Sequence, residues 1–193
     1  VVQHVTGVNG EAALVLSLVL HLGTLAAVFV AFWGTIWGMI KEFFLTIGDI
    51  FTGKFSWKNM NGNRRMMFMV IIATVILVPF YPFEGFFTGR QGDGDIVFEG
   101  AAFLFTSLIL FLSDRFGHGT RTAEQMTVKD AVTVGLFQVV ALFPGVSRSG
   151  STTAGGLLSG LEKETAVTFA FILGIPAILG GSVLELGDAL HSD

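Results

Sequence analysis

The chain contains no cysteine, which excludes disulfides and thiolate metal sites. It is also poor in charge. Only 13% of its 193 residues are Asp, Glu, Lys or Arg, about half of the ~25% usual in a soluble domain. A net charge of -4 gives no sign of nucleic-acid binding. Val1-Val2-Gln3-His4 has no basic leader of the signal-peptide kind, and no methionine opens the chain, so the sequence is expected to begin inside a longer protein. In place of charge stand 52% hydrophobic residues, 20 phenylalanines and 25 glycines, with a mean hydropathy of +0.72. Phenylalanine and glycine at this abundance suit packed transmembrane helices. The composition reads as a polytopic membrane protein with a single membrane domain over residues 1–193.

The apolar runs divide this domain into an all-α, integral-membrane helical bundle. Spans are expected at about 12–40, 66–81, 96–112 and 166–186, the first longer than the ~20 residues that a crossing helix needs and the second shorter than the first. Lys41 and Glu42 are expected to close the first, and Pro79 and Pro82 the second. The 41–65 segment carries five Lys/Arg, the 113–130 segment three, and the acidic 82–95 loop, with Glu84, Asp93 and Asp95, only Arg90. By the positive-inside rule the first two are cytoplasmic and the third external. Glu185 and Asp188 are then expected near the external face.

Between 131 and 161 the apolar pieces on either side are too short to cross. They flank Pro144-Gly145-Val146-Ser147-Arg148-Ser149-Gly150-Ser151-Thr152, which joins one arginine and four hydroxyl side chains to two glycines. A single helix would leave Arg148 near the bilayer centre, broken at Pro144-Gly145. A re-entrant hairpin of two half-helices is the favoured reading, because irregular backbone at membrane depth is tolerated where it lines a cavity or packs within protein.

The loop has the chemistry of an anion site. A helix start near Ser149–Ser151 turns its N–H groups and positive dipole end toward the loop. Arg148 offers a planar fork that matches two phosphate oxygens. Ser147, Ser149, Ser151 and Thr152 add donors, and Gly145 and Gly150 allow close approach. The plainer alternative is a capped helix start with Arg148 reaching an interface. An arginine amid apolar flanks weighs against it, since polar groups at membrane depth are costly. Gly145 to Thr152 also approximates a nucleotide-binding G-x-x-x-x-G-K-[ST], but Ser151 stands where the lysine belongs and no βαβ pattern surrounds it. Gln138, one or two turns before the loop, either orients a ligand or bonds a neighbouring helix. Gly156 and Gly160 read as a G-x-x-x-G packing face, Glu99 as interfacial, and His21 as a mid-span histidine, buried or functional.

An internal repeat is faintly visible. Leu22-Gly23-Thr24-Leu25-Ala26 and Leu173-Gly174-Ile175-Pro176-Ala177 stand 151 residues apart. The same offset applied to 147–152 places a sister loop ending on residue 1.

With Phe137-Gln138 leading into Pro144–Thr152, and with Leu20–Val28 and Phe169–Gly180 in the expected order, the sequence resembles the undecaprenyl-diphosphate phosphatase family, the bacitracin-resistance proteins. The resemblance implies removal of the terminal phosphate from a C55 polyprenyl diphosphate, regenerating a lipid carrier for peptidoglycan. It implies two inverted repeats, each with a re-entrant hairpin, meeting at a site that faces outward from a bacterial cytoplasmic membrane. By the motif match, Arg148 and Ser147 would be catalytic, and Ser149, Gly150, Ser151, Thr152 and Gln138 would bind substrate. A Mg²⁺ or Ca²⁺ ion is implied as well, held by the family's other signature, two glutamates followed by Pro-Val-Ser-Ser-x-Gly-His. Nothing here matches that signature, so no metal ligand is assigned in this chain. The sequence is expected to be a fragment, with that signature before Val1 and further helices after Asp193. A homodimer is compatible with it. A transporter or flippase of an anionic polyprenyl lipid is the alternative function, since half-helices aimed at anions also serve transport.

Overall fold

The computed structural model describes residues 11–83 and 96–191, and within them side chains in 19–80 and 97–181. Its elements are α1 (Glu11–Ala31), α2 (Trp33–Phe51), α3 (Gly62–Leu77) continuing as a 3₁₀ turn (Val78–Phe83), α4 (Ile96–Phe116), a short 3₁₀ turn (Ala123–Gln125), α5 (Val128–Val140), α6 (Arg148–Leu158) and α7 (Lys163–His191). No strand occurs among the described residues. Three stretches are long and apolar enough to cross a bilayer, at 62–80, 97–116 and 163–181, and α1 with α2 makes a bent pair that is a broken span or a re-entrant loop. The chain is an all-α, multi-pass membrane protein. Glu84, Arg90, Asp93 and Asp95 lie outside the described residues, and Glu185 and Asp188 outside the described side chains.

The apolar run expected to cross as one span over 12–40 is instead two helices bent by 82° at Phe32. No proline marks the break. The Phe32 ring stacks on Phe171 of α7, with centroids 5.8 Å apart. Nor do Lys41 and Glu42 end the helix, as α2 runs on to Phe51. The Lys41 ammonium sits over the Trp37 ring at 5.7 Å. The Glu42 carboxylate accepts from Arg64 Nε at 2.7 Å and from Asn61 Nδ2 at 2.6 Å. Paired in this way, the two charges are accommodated within the helix. Asn61 also caps α3, its side chain accepting the Arg64 N–H at 2.9 Å.

The core lies where α3, α5, α6 and α7 meet, around Met69, Ala73, Val134, Leu157, Phe169 and Leu173, all buried. Small residues bring the backbones close. A Cβ on Gly135 would fall 3.1 Å from the Ala73 carbonyl oxygen, and one on Gly155 would press on the Phe137 ring at 3.0 Å. Phe103, Leu104 and Phe111 of α4 and Phe44 and Phe51 of α2 are exposed. An apolar surface this extensive suits lipid rather than water.

Gly156 and Gly160 do not form one packing face. Gly156 approaches Ala166 of α7, whereas Gly160 has a φ of +91° just beyond the end of α6. The Gly160 N–H donates to Leu157 O at 3.0 Å and the Leu161 N–H to Gly156 O at 3.2 Å. This is the glycine-terminated Schellman ending. The turn is clasped by Arg121, which donates to both Asp130 carboxylate oxygens at 2.6 and 2.7 Å and to the Ser159 carbonyl. Burial pushes the Asp130 carboxyl up, but hydrogen bonds from Arg121 and Thr127 outweigh it and hold the group below the usual carboxylate range.

These contacts gather one end of the bundle. Arg64 binds Glu42 and Asp49, Arg65 donates to Met126 O at 3.0 Å, and Arg121 joins the 117–127 segment to the turn after α6. The basic segments around 52–65 and 115–129 therefore share an end, and the Pro144 turn lies at the opposite end of α5 and α6.

Candidate active site

α5 and α6 span about 20 and 16 Å at 1.5 Å per residue, short of the ~30 Å hydrocarbon core. The turn between them sits beside the first half of α4. A Cβ placed on Gly145 would come 2.9 Å from Ala102 Cβ and 3.2 Å from Glu99 Cα, and one on Gly150 would come 2.8 Å from Thr106 Cγ2. Thr106 is about 15 Å along α4 from its start, so the turn is set into the bundle. Glu99, read from sequence as interfacial, borders the turn through its backbone. Spacing gave no signal for this, because 46 residues separate Glu99 from Gly145.

Gly145 has a φ of +82°, a conformation that favours glycine. Its neighbours Ala102 and Glu99 are backbone or short side chain and cannot swing away. Gly145→Ala is therefore expected to destabilise the protein by about 1–3 kcal/mol, read by thermal unfolding in detergent. An unchanged midpoint would show that the turn relaxes freely.

The helix starts at Arg148 rather than at Ser149–Ser151. Ser147 is its N-cap, with an extended backbone and a side-chain oxygen that accepts the Gly150 N–H at 3.2 Å. Placing Ser147 outside the helix puts Arg148 at the first helical position, where N–H groups have no carbonyl one turn before them and the dipole is positive. Ser149 follows, partly exposed like Ser147 and Arg148. Gly150, Ser151 and Thr152 are buried. The Thr152 hydroxyl donates to the Arg148 carbonyl at 2.8 Å, so its hydrogen serves the helix rather than a ligand. Ser151, fully buried, and Gln138 of α5, 2% exposed, carry side-chain polar atoms with no hydrogen-bond partner among the described residues. Buried polar groups in this state are rare and call for water or ligand atoms within reach. Ser147, Arg148 and Ser149 are thus half-buried at the turn, whereas Ser151 and Gln138 are buried. His21 is exposed on α1, away from any buried setting.

The donor set suits a phosphate-like anion: a guanidinium, hydroxyls and a helix N-terminus. It does not suit a divalent cation. Among the described residues no three His, Asp or Glu side chains come together as ligands, whereas Mg²⁺ and Ca²⁺ take oxygen ligands rich in carboxylates.

The fold and this turn define a helical membrane protein with a serine-capped, arginine-bearing helix start set into its bundle. Residues 1–193 match the family described as bacitracin resistance protein BacA, and the chain belongs to that family. It is 40% identical over 194 residues to the undecaprenyl-diphosphatase of Alkaliphilus metalliredigens (strain QYMF), covering 99% of this chain and 69% of that protein. It is also 40% identical to the undecaprenyl-diphosphatase of Methanobrevibacter smithii, covering 96% and 67%. Against that of Corynebacterium glutamicum (strain R) the identity is 36%, covering 94% and 59%. The chain thus spans about two thirds of the length of these relatives.

Proposed function

We propose that the protein hydrolyses undecaprenyl diphosphate to undecaprenyl phosphate and inorganic phosphate, so recycling a lipid carrier for cell-wall synthesis. The observation that carries the reading is the start of α6, a serine-capped N-terminus with Arg148 at its first position, set into a membrane bundle. Family membership supplies the substrate class.

The reaction consumes one water. A new P–O bond forms at the terminal phosphorus, the bridging P–O bond of the anhydride breaks, and the lipid monophosphate departs. Negative charge grows on the terminal phosphoryl oxygens as this happens. Arg148 would hold two of them in a fork, and the Ser147 and Ser149 hydroxyls would donate to the third, with the dipole of α6 adding fixed positive potential. Ser147 can do this while capping, since its lone pair takes the Gly150 N–H and its hydrogen stays available. Gln138 and Ser151 would hold the interior layer of hydrogen bonds behind the phosphate. The cation that the family resemblance implies would supply further neutralising charge, but the described residues do not fit one, and none of these steps uses it.

The site would face the outside of a cytoplasmic membrane. The basic segments at the other end of the hairpin support this, since such segments stay on the cytoplasmic side. The deciding experiment is phosphate release from undecaprenyl diphosphate by the purified full-length protein in detergent, where transport is impossible. Release is expected. Binding of the lipid without release would favour a transporter.

A further inference from the structure

We propose that Thr106 of α4 is a positioning residue for the phosphate site, an inference that rests on the phosphatase reading above. It lies outside the 144–152 motif, 41 residues earlier in the chain, and is 5% exposed. Its hydroxyl hydrogen is committed to the Ala102 carbonyl oxygen at 3.0 Å. That fixes the orientation of the oxygen and leaves a lone pair to accept the Ser147 backbone N–H at 3.2 Å. Its methyl group faces Gly150, where an added Cβ would meet Cγ2 at 2.8 Å. Thr106 therefore holds both ends of the cap, the Ser147 backbone and the Gly150 that bonds the Ser147 hydroxyl.

The neighbouring positions extend the support. Glu99, Ala102, Thr106 and Leu110 recur at helical spacing along one stripe of α4, and each lies within contact distance of a Cβ built at Gly145 or Gly150. α4 is thus the floor on which the motif turn is laid, and of these four side chains Thr106 carries the hydroxyl. Without this hydrogen bond Ser147 can rotate, and the cap, Arg148 and the first-turn N–H groups shift with it. Misplacement of about 1 Å at such a site costs on the order of 10²-fold in rate.

Two variants separate the arms of the side chain in the full-length protein. Thr106→Val keeps the shape and removes the hydroxyl; Thr106→Ser keeps the hydroxyl and removes the methyl. The expected result is a kcat on undecaprenyl diphosphate lowered on the order of 10²-fold in Thr106→Val, with KM changed far less. Thr106→Ser should stay within about threefold of wild type. Amide hydrogen exchange of residues 147–150 should quicken in Thr106→Val and not in Thr106→Ser, whatever the activity. Wild-type kcat with unchanged exchange in Thr106→Val would overturn the proposal, as would equal impairment of the two variants. If wild-type protein releases no phosphate while exchange still quickens in Thr106→Val, the phosphatase reading fails and the hold of Thr106 on the turn stands.

Discussion

Arg148→Ala is expected to lower phosphate release from undecaprenyl diphosphate by on the order of 10²–10³-fold, the loss typical for one preorganised oxyanion donor. The substitution removes a full positive charge and a two-pronged donor from the first position of α6, where the growing phosphoryl charge would lie. Alanine is a good helix former, and Ser147 and Gly150 keep the cap hydrogen bond. The fold should persist, as circular dichroism and gel filtration in detergent would register. Arg148→Lys should fall between wild type and alanine, because an ammonium keeps the charge but not the planar fork. The informative quantity is kcat/KM, which reports the lost transition-state stabilisation. Turnover unaffected by Arg148→Ala would remove the turn from the chemistry.

The largest effect on stability is expected at the opposite end of the hairpin. Arg121→Met leaves the Asp130 carboxylate, 3% exposed, without the cation that it binds through both oxygens. Breaking such a pair costs about 3 kcal/mol, the low end of the range for buried pairs because the Arg121 side chain is itself a third exposed. The doubly substituted Arg121→Met, Asp130→Leu protein should recover most of the loss, since apolar replacement of a whole buried pair is often neutral. Denaturant titration of the four proteins completes the cycle. The pair also makes stability depend on pH. Asp130 is held below its ordinary value of 3.8 in the folded protein, so its contribution is full above that value and fades as pH falls through the lower folded one. The wild-type midpoint should be flat from about pH 7 to 5 on this account and decline below about 4. The Asp130→Asn protein should lose that acid-side decline.

Much of the candidate site was legible in the chain because it is local. A cluster of serines, glycines and one arginine between apolar runs must be capped and turned within ten residues, and Ser147, Gly150 and Gly145 do this locally. Its support was not legible. Thr106 and Ala102 look like any residues of an apolar helix, and their closeness to Ser147 and Gly145 exists only because α4 packs on α6. The bend at Phe32 follows the same logic, as its partner Phe171 lies far along the chain and no proline announces it. Lys41 and Glu42 looked like a stop because two charges in an apolar run are costly alone. Trp37 and Arg64 supply their partners, and the helix continues.

By itself the sequence determined the solvent and the element type: scarce charge and long apolar runs demand lipid, and continuous apolar runs of this length satisfy their backbone groups in lipid as helices, each bond made within its own segment. It also determined the chemistry of the turn, which depends on residues adjacent in the chain. Tertiary structure decided where the long helix breaks, which charges are tolerated, and what lies beneath Ser147 and Gly145. Those outcomes rest on contacts between residues tens of positions apart, and only the packed bundle brings such residues within a few ångströms.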